Sequence, residues 1–143
     1  MKPPFRADHV GSLLRPAGLA EARKKKDVAF QQSAIRAVVA KQEAIGLQGV
    51  TDGEFSRDWW HLDFLAQLDG VVLAPLAGPA PKFDGTSDQP PVPHVTGKLG
   101  YSQPIMVDDF AFLKSVTKKT AKFTIPSPSM LHLRAGRAGI SKQ

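Results

Sequence analysis

The strongest constraint on this chain is the order of its apolar segments, in which short strand-like runs alternate with longer runs of helical period. A first strand is expected before His9. Leu47 to Asp52 and Lys122 to Ile125 are further strand candidates. Between them, Ala17–Lys26 reads as a short helix that Arg15-Pro16 opens with proline in its first turn. From Phe30 to Ile45, the side chains of Ile35, Val38, Val39 and Ile45, with Ala34 and Ala37, fit one helical face, and Gly46 is a natural stop. A third helix is expected from Ser56 or Arg57 to Leu68, with Leu62, Leu65 and Leu68 inward. A fourth, capped by Asp108-Asp109, carries Phe110, Leu113 and Val116.

Strands alternating with helices predict an α/β fold with parallel pairing. The segment from 74 to 104 breaks that rhythm. It holds Pro75, Pro79, Pro81, Pro90, Pro91 and Pro93, and predicts an excursion into a β-arm whose strand is Val95 to Tyr101. Polar residues sit where each strand would end: His9 and Ser12, then Asp52 and Glu54, then Ser127 and Ser129. In a (β/α)8 barrel the active site is built at those strand ends, but a complete barrel takes roughly 250 residues. A chain of 143 residues holds about the first three βα units of such a barrel plus the arm.

Composition narrows the function classes. The formal net charge is +6, with the main cluster at Arg23-Lys24-Lys25-Lys26. No aromatic residue interleaves it, so it reads as a solvated helix end, and a nucleic-acid partner is not expected. Cysteine is absent, which removes a thiolate nucleophile, a disulfide framework and any thiolate-built zinc site within this chain. No apolar run is long enough to span a membrane, and no signal core is seen. A cytoplasmic location is the expectation.

Two constellations could carry chemistry. In Asp8-His9-Val10-Gly11-Ser12, a glycine–serine pair leaving a strand offers backbone N–H groups and a hydroxyl to a carboxylate, or makes only a capped turn. In Asp52-Gly53-Glu54, two carboxylates at a strand end could take an ammonium group, orient a base or ligate a metal, or form an ordinary turn. Trp59 and Trp60, which follow, suit either a pocket wall or a core. His9, His61, His94 and His132 show no metal-ligand spacing. Phosphate-loop and hydrolase-elbow motifs are missing.

Three blocks taken in order resemble a known family: 6–16 (RADHVGSLLRP), 41–57 (KQEAIGLQGVTDGEFSR) and 124–132 (TIPSPSMLH). They are similar to the start of the catalytic barrel of cobalamin-independent methionine synthases, in particular their short single-barrel relatives. The resemblance implies a zinc-dependent transfer of a methyl group from a methylfolate-type donor to the sulfur of homocysteine. It implies that Val10, Gly11 and Ser12 contact the amino acid's carboxylate and that Glu54 takes its ammonium group. His9, Asp52 and Ser127 are weaker carry-overs.

The family's zinc ligands are a histidine, cysteines and an acidic residue in later strands, so no metal ligand is assigned in this chain. The tail Arg134–Gln143 follows the family at first and then stops. The expectation is a truncated product, a fragment or a split gene, inactive alone. Open sheet edges would make it associate with itself or need a complementing chain. Two alternatives stand beside this reading: a related zinc-dependent alkyl or methyl transfer to another thiol, and a non-catalytic basic binding module.

Overall fold

The computed structural model describes residues 5–75 and 91–135. The proline-rich excursion, from 76 to 90, and the tail from 136 onward lie outside the described residues. The elements in order are α1 (Leu19–Lys24), α2 (Val28–Ala44), β1 (Gly49–Val50), α3 (Leu62–Leu65), β2 (Asp69–Ala74), β3 (Val92–Gly100), α4 (Val107–Ser115), β4 (Thr120–Ala121) and α5 (Met130–Ala135). The fold is mixed α/β. It divides into two compact units: 1–58 with 106–124, and 59–105 with 125–143.

In the first unit, β1 and β4 pair in parallel, Gly49 opposite Thr120 and Val50 opposite Ala121. Its core joins Leu19, Ile35, Val39, Val50, Phe55 and Leu113, with Phe112, Ala121 and Phe123 packed against them. Helix α2 starts where the Asp27 carboxylate accepts the Phe30 N–H at 3.0 Å, a side-chain cap for an otherwise orphan donor. It ends in paired bonds, Gly46 N–H to the Glu43 carbonyl and Leu47 N–H to the Gln42 carbonyl. Gly46 has φ +89°, so the stop read from the sequence is a left-handed cap of Schellman type. Ile45, expected on the buried face, is 77% exposed, because that cap turns the chain away before it can point inward.

The second unit is a β-arm with helices against it. β2 and β3 pair antiparallel, with a register shift between Asp69 and Val71. Gly70 sits at that irregularity with φ +76°, and a Cβ there would lie 2.5 Å from the Lys98 carbonyl oxygen. Only glycine fits that approach. Leu65, Val71 and Leu131 form the core of this unit. No helix among the described residues is long and apolar enough to cross a membrane.

Several sequence expectations are corrected. Among the described residues, no strand precedes α1. The 5–15 segment bonds elsewhere: Leu13 N–H donates to the Gly53 carbonyl at 3.1 Å, and the Lys122 ammonium donates to the His9 carbonyl. Pro16 lies before α1 rather than within it, since Gly18 at φ +84° is the N-cap. The helix expected from 56 or 57 to 68 shrinks to Leu62–Leu65: Ser56 stands in the turn that its hydroxyl closes on Asp52, and the Arg57 side chain is drawn to the Thr124 carbonyl. The strand expected at Lys122–Ile125 forms two residues earlier. Asp108 and Asp109 do not cap α4. Met106 occupies the N-cap without a side-chain bond, and the two aspartates stand in the first turn, where the helix dipole favours anions. Strand β2 and helix α5 escaped the sequence reading altogether.

Candidate functional site

Asp52, Gly53 and Glu54 leave β1 in a turn closed by the Phe55 N–H on the Asp52 carbonyl at 3.3 Å. Both central residues are left-handed, Gly53 at φ +71° and Glu54 at φ +61°. A non-glycine residue in that region costs on the order of 1–3 kcal/mol and persists only where its surroundings impose it. The surroundings here are specific. Asp52 accepts the Glu54 N–H at 2.9 Å on one carboxylate oxygen and the Ser56 hydroxyl on the other. The Thr51 hydroxyl accepts the Gly53 N–H at 3.0 Å. Asp52 and Glu54 are both buried.

Two residues that the sequence reading did not single out fix this turn. Gln42, on the inward face of α2, donates to the Thr51 carbonyl at 2.8 Å and accepts the Thr51 N–H at 2.9 Å. Its amide completes the strand end as a neighbouring strand would. The signal was available: Gln42 lies seven positions after Ile35 and three after Val39, on a stripe that is otherwise apolar. Arg57 is the second. Its guanidinium lies 3.6 Å from a Glu54 carboxylate oxygen, donates to the Thr124 carbonyl and stacks 4.8 Å above the Phe123 ring centroid. Its signal was the i, i+3 spacing from Glu54.

Further cations close the same turn from outside. Arg15 donates to the carbonyls of Arg57 and Asp58 at 2.8 and 2.9 Å. Arg23 donates to the Arg57 carbonyl and pairs with the Asp58 carboxylate at 2.6 Å. The basic cluster read as a solvated helix end is therefore partly engaged, with Arg23 committed to this turn. Asp109, in the first turn of α4, is half-buried. Burial and the nearby Asp52 carboxylate push its pKa up to about 6, against the pull of Arg57.

The Gly11-Ser12 loop meets this turn. Besides the Leu13 bond to the Gly53 carbonyl, the Ser12 hydroxyl lies 3.4 Å from the same oxygen and 3.0 Å from the Leu13 carbonyl. Gly11 is left-handed at φ +88°, with open space where a Cβ would stand. His9 sits within the loop, its Nε2 2.7 Å from the Gly11 carbonyl oxygen. Lys122 grips Asp8 at 2.8 Å and holds that carboxyl below its ordinary pKa. Val10 is 84% exposed. Of the residues singled out from sequence, His9, Val10, Gly11, Ser12, Asp52 and Glu54 thus belong to one unit. Ser127 belongs to the other, where its hydroxyl meets that of Ser129 at 3.0 Å. Trp60 packs against His61 at 4.7 Å between ring centroids, and Trp59 is about half exposed. A groove of about 240 Å³ on the first unit, lined by Leu14, Phe30, Ala34, Val38 and Phe55 among others, includes neither carboxylate of the turn.

Among the described residues, no group of three histidine, cysteine, aspartate or glutamate side chains could hold a metal ion. With cysteine absent from the sequence as well, these residues do not fit a zinc site with thiolate ligands.

The mixed α/β fold is shared with proteins of the methionine synthase type. The chain matches the crystal structure of a putative vitamin-B12-independent methionine synthase from Listeria monocytogenes with a TM-score of 0.71 and 38% identity, covering 98% of this chain and 41% of that one. A B12-independent methionine synthase from Shewanella, solved in complex with selenomethionine, shares the fold with a TM-score of 0.63 at 23% identity. Two uncharacterised Bacillus subtilis proteins, YxjH and YxjG, are 45% and 42% identical over 91% and 93% of the chain. The methionine synthase of Sulfurisphaera tokodaii is 33% identical over 83% of it. No protein-family profile matches. The chain spans 37–38% of the length of these curated relatives. Over the stretch it spans, it is a relative of the cobalamin-independent methionine synthases.

Proposed function

We propose that this chain forms the part of a methionine-synthase-like methyltransferase that grips the amino-acid end of a thiol acceptor, homocysteine by family likeness. The observation that carries the reading is the bond from Leu13 N–H to the Gly53 carbonyl, which docks the Gly11-Ser12 loop onto the Asp52–Glu54 turn. One side offers backbone N–H groups and a hydroxyl, which suit a carboxylate. The other offers a buried carboxylate, Glu54, with Asp52 beside it, which suits an ammonium group. An α-amino acid carries both charges on one carbon, so two such neighbouring sites select for it and fix its side-chain direction. A sulfur so directed is placed for attack on a methyl donor, which the family likeness suggests is a methylfolate.

The described residues supply no group to activate that sulfur, so the role proposed for them is binding and orientation only. Within the same reading, 1–143 is one portion of a (β/α)8 barrel. The parallel β1–β4 pair, with its acidic turn at a strand end, supports this. A cytoplasmic setting, where thiols stay reduced, suits such an acceptor.

Calorimetric titration tests the reading, with homocysteine under reducing conditions and with methionine as the product. Both are expected to bind, and Glu54→Gln to weaken them about tenfold, the scale of one lost charge-assisted contact. Binding that ignores Glu54→Gln, or no binding at all, contradicts it.

A further inference from the structure

We infer that Arg57 is a positioning residue that holds Glu54 to receive an ammonium group, without touching the ligand itself; the inference rests on the amino-acid-binding reading above. The Arg57 side chain is 1% exposed, so it is out of reach of a ligand entering from solvent. A buried guanidinium is costly unless it is paired and hydrogen-bonded. Arg57 meets that need with four different partners: the Thr124 carbonyl, the face of Phe123, the Met106 sulfur at 3.8 Å and the Glu54 carboxylate. The first two anchor it to the chain that follows β4, so its position is set independently of Glu54. Its Nε, equally buried, has no hydrogen-bond partner, a deficit that the site tolerates.

The contact with Glu54 is the loose one. At 3.6 Å it exceeds the roughly 2.7–2.9 Å of a charge-assisted hydrogen bond. A carboxylate has about four lone-pair directions, so an ion pair of that length orients Glu54 without saturating it. The left-handed backbone at Glu54 points the same way. Strain at a residue whose side chain is then held by a fixed cation is what a preorganised binding group requires. Arg57 offsets the charge of Glu54 in the empty site, and the long contact leaves room for the ligand's cation to complete the pair.

Selectivity for the amino group separates this role from a purely structural one. The measurement is the affinity of the whole chain for methionine and for 4-(methylthio)butanoate, which lacks the amino group, before and after Arg57→Met. The unsubstituted chain should prefer methionine by about tenfold or more. Arg57→Met should remove most of that preference while leaving the desamino compound within about twofold. Arg57→Lys, which keeps the charge, should retain part of the preference and serves if Arg57→Met does not fold. In the double variant with Glu54→Gln, the two losses should not add. Equal weakening of both compounds by Arg57→Met and Arg57→Lys, or additive losses, would overturn the inference while leaving the parent reading intact. An unsubstituted chain that binds both compounds alike, or neither, would overturn the parent reading and this inference with it.

Discussion

The two faces of the candidate site are built in opposite ways. The Asp52–Arg57 turn is buried, strained and bonded to α2, to the Phe123–Thr124 segment and to itself. The Val10–Leu14 loop is open: Val10 and Leu14 are 84% and 96% exposed, and Gly11 has empty space where a side chain would be. The loop is tied down mainly at its ends, by Lys122 on Asp8 and by Leu13 on Gly53. Under the proposed amino-acid-binding role, the difference follows from charge. A buried carboxylate aimed at a cation has to be held by a network, since an unsupported one would protonate or turn away. Backbone N–H groups offered to an anion carry only partial charge and can wait in solvent.

This contrast predicts a steep gradient of mutational cost. The largest effect is expected at Gln42. Gln42→Leu strands the Thr51 N–H and carbonyl in a buried place, at about 1–3 kcal/mol each, so urea denaturation should show a loss of about 2–6 kcal/mol. A variant within 0.5 kcal/mol of the parent would mean that the turn does not depend on its scaffold.

Asp109 comes next. Its pKa of about 6 lies above the ordinary 3.8, so the folded state prefers it protonated. Its contribution is favourable below about pH 4 and is lost as pH rises through about 6. Two units correspond to about 3 kcal/mol, which partial exposure reduces to about 1–2 kcal/mol. Asp109→Asn should therefore be near neutral at pH 4 and stabilising by about 1–2 kcal/mol at pH 8. Melting curves at the two pH values check the sign, and the reverse ordering would show that Asp109 is not pressed against the Asp52 side of the network.

On the open face the costs should be small. Gly11→Ala meets no atom, so only its left-handed backbone opposes it, at about 1 kcal/mol. Ser12→Ala should change stability by less than about 0.5 kcal/mol, since the hydroxyl is exposed, yet weaken methionine binding several-fold. If Ser12→Ala instead destabilises the fold and spares binding, the division of labour between the two faces is wrong.

The same contrast explains what could be read from sequence. The loop and the turn were legible because their residue types are local: glycine with serine, and aspartate and glutamate about a glycine. Helix α2 and its glycine stop were legible from period and punctuation. The supports were harder. Arg15 and Arg57 act across long chain separations, as in the Arg57 bond to Thr124, and no local pattern encodes the partner; Gln42 reaches only to Thr51, but across the packing of a helix on a strand. Among the described residues, the strand expected before His9 does not form, for a related reason. Its backbone groups find partners in the turn and in Lys122, which alternation cannot foresee. Strand β2 was missed because Gly70 interrupts it, and the glycine is there only because Lys98 passes so close.

The most direct test of the central claim is a titration of the ¹⁵N-labelled chain with methionine, read residue by residue from amide chemical shifts. The amides of Gly11, Ser12 and Leu13 should shift together with those of Gly53, Glu54 and Phe55, saturating with one affinity. The amides of Phe30, Ala34 and Val38, which line the separate groove, should stay in place. Shifts confined to that groove, or to one face of the site without the other, would contradict it.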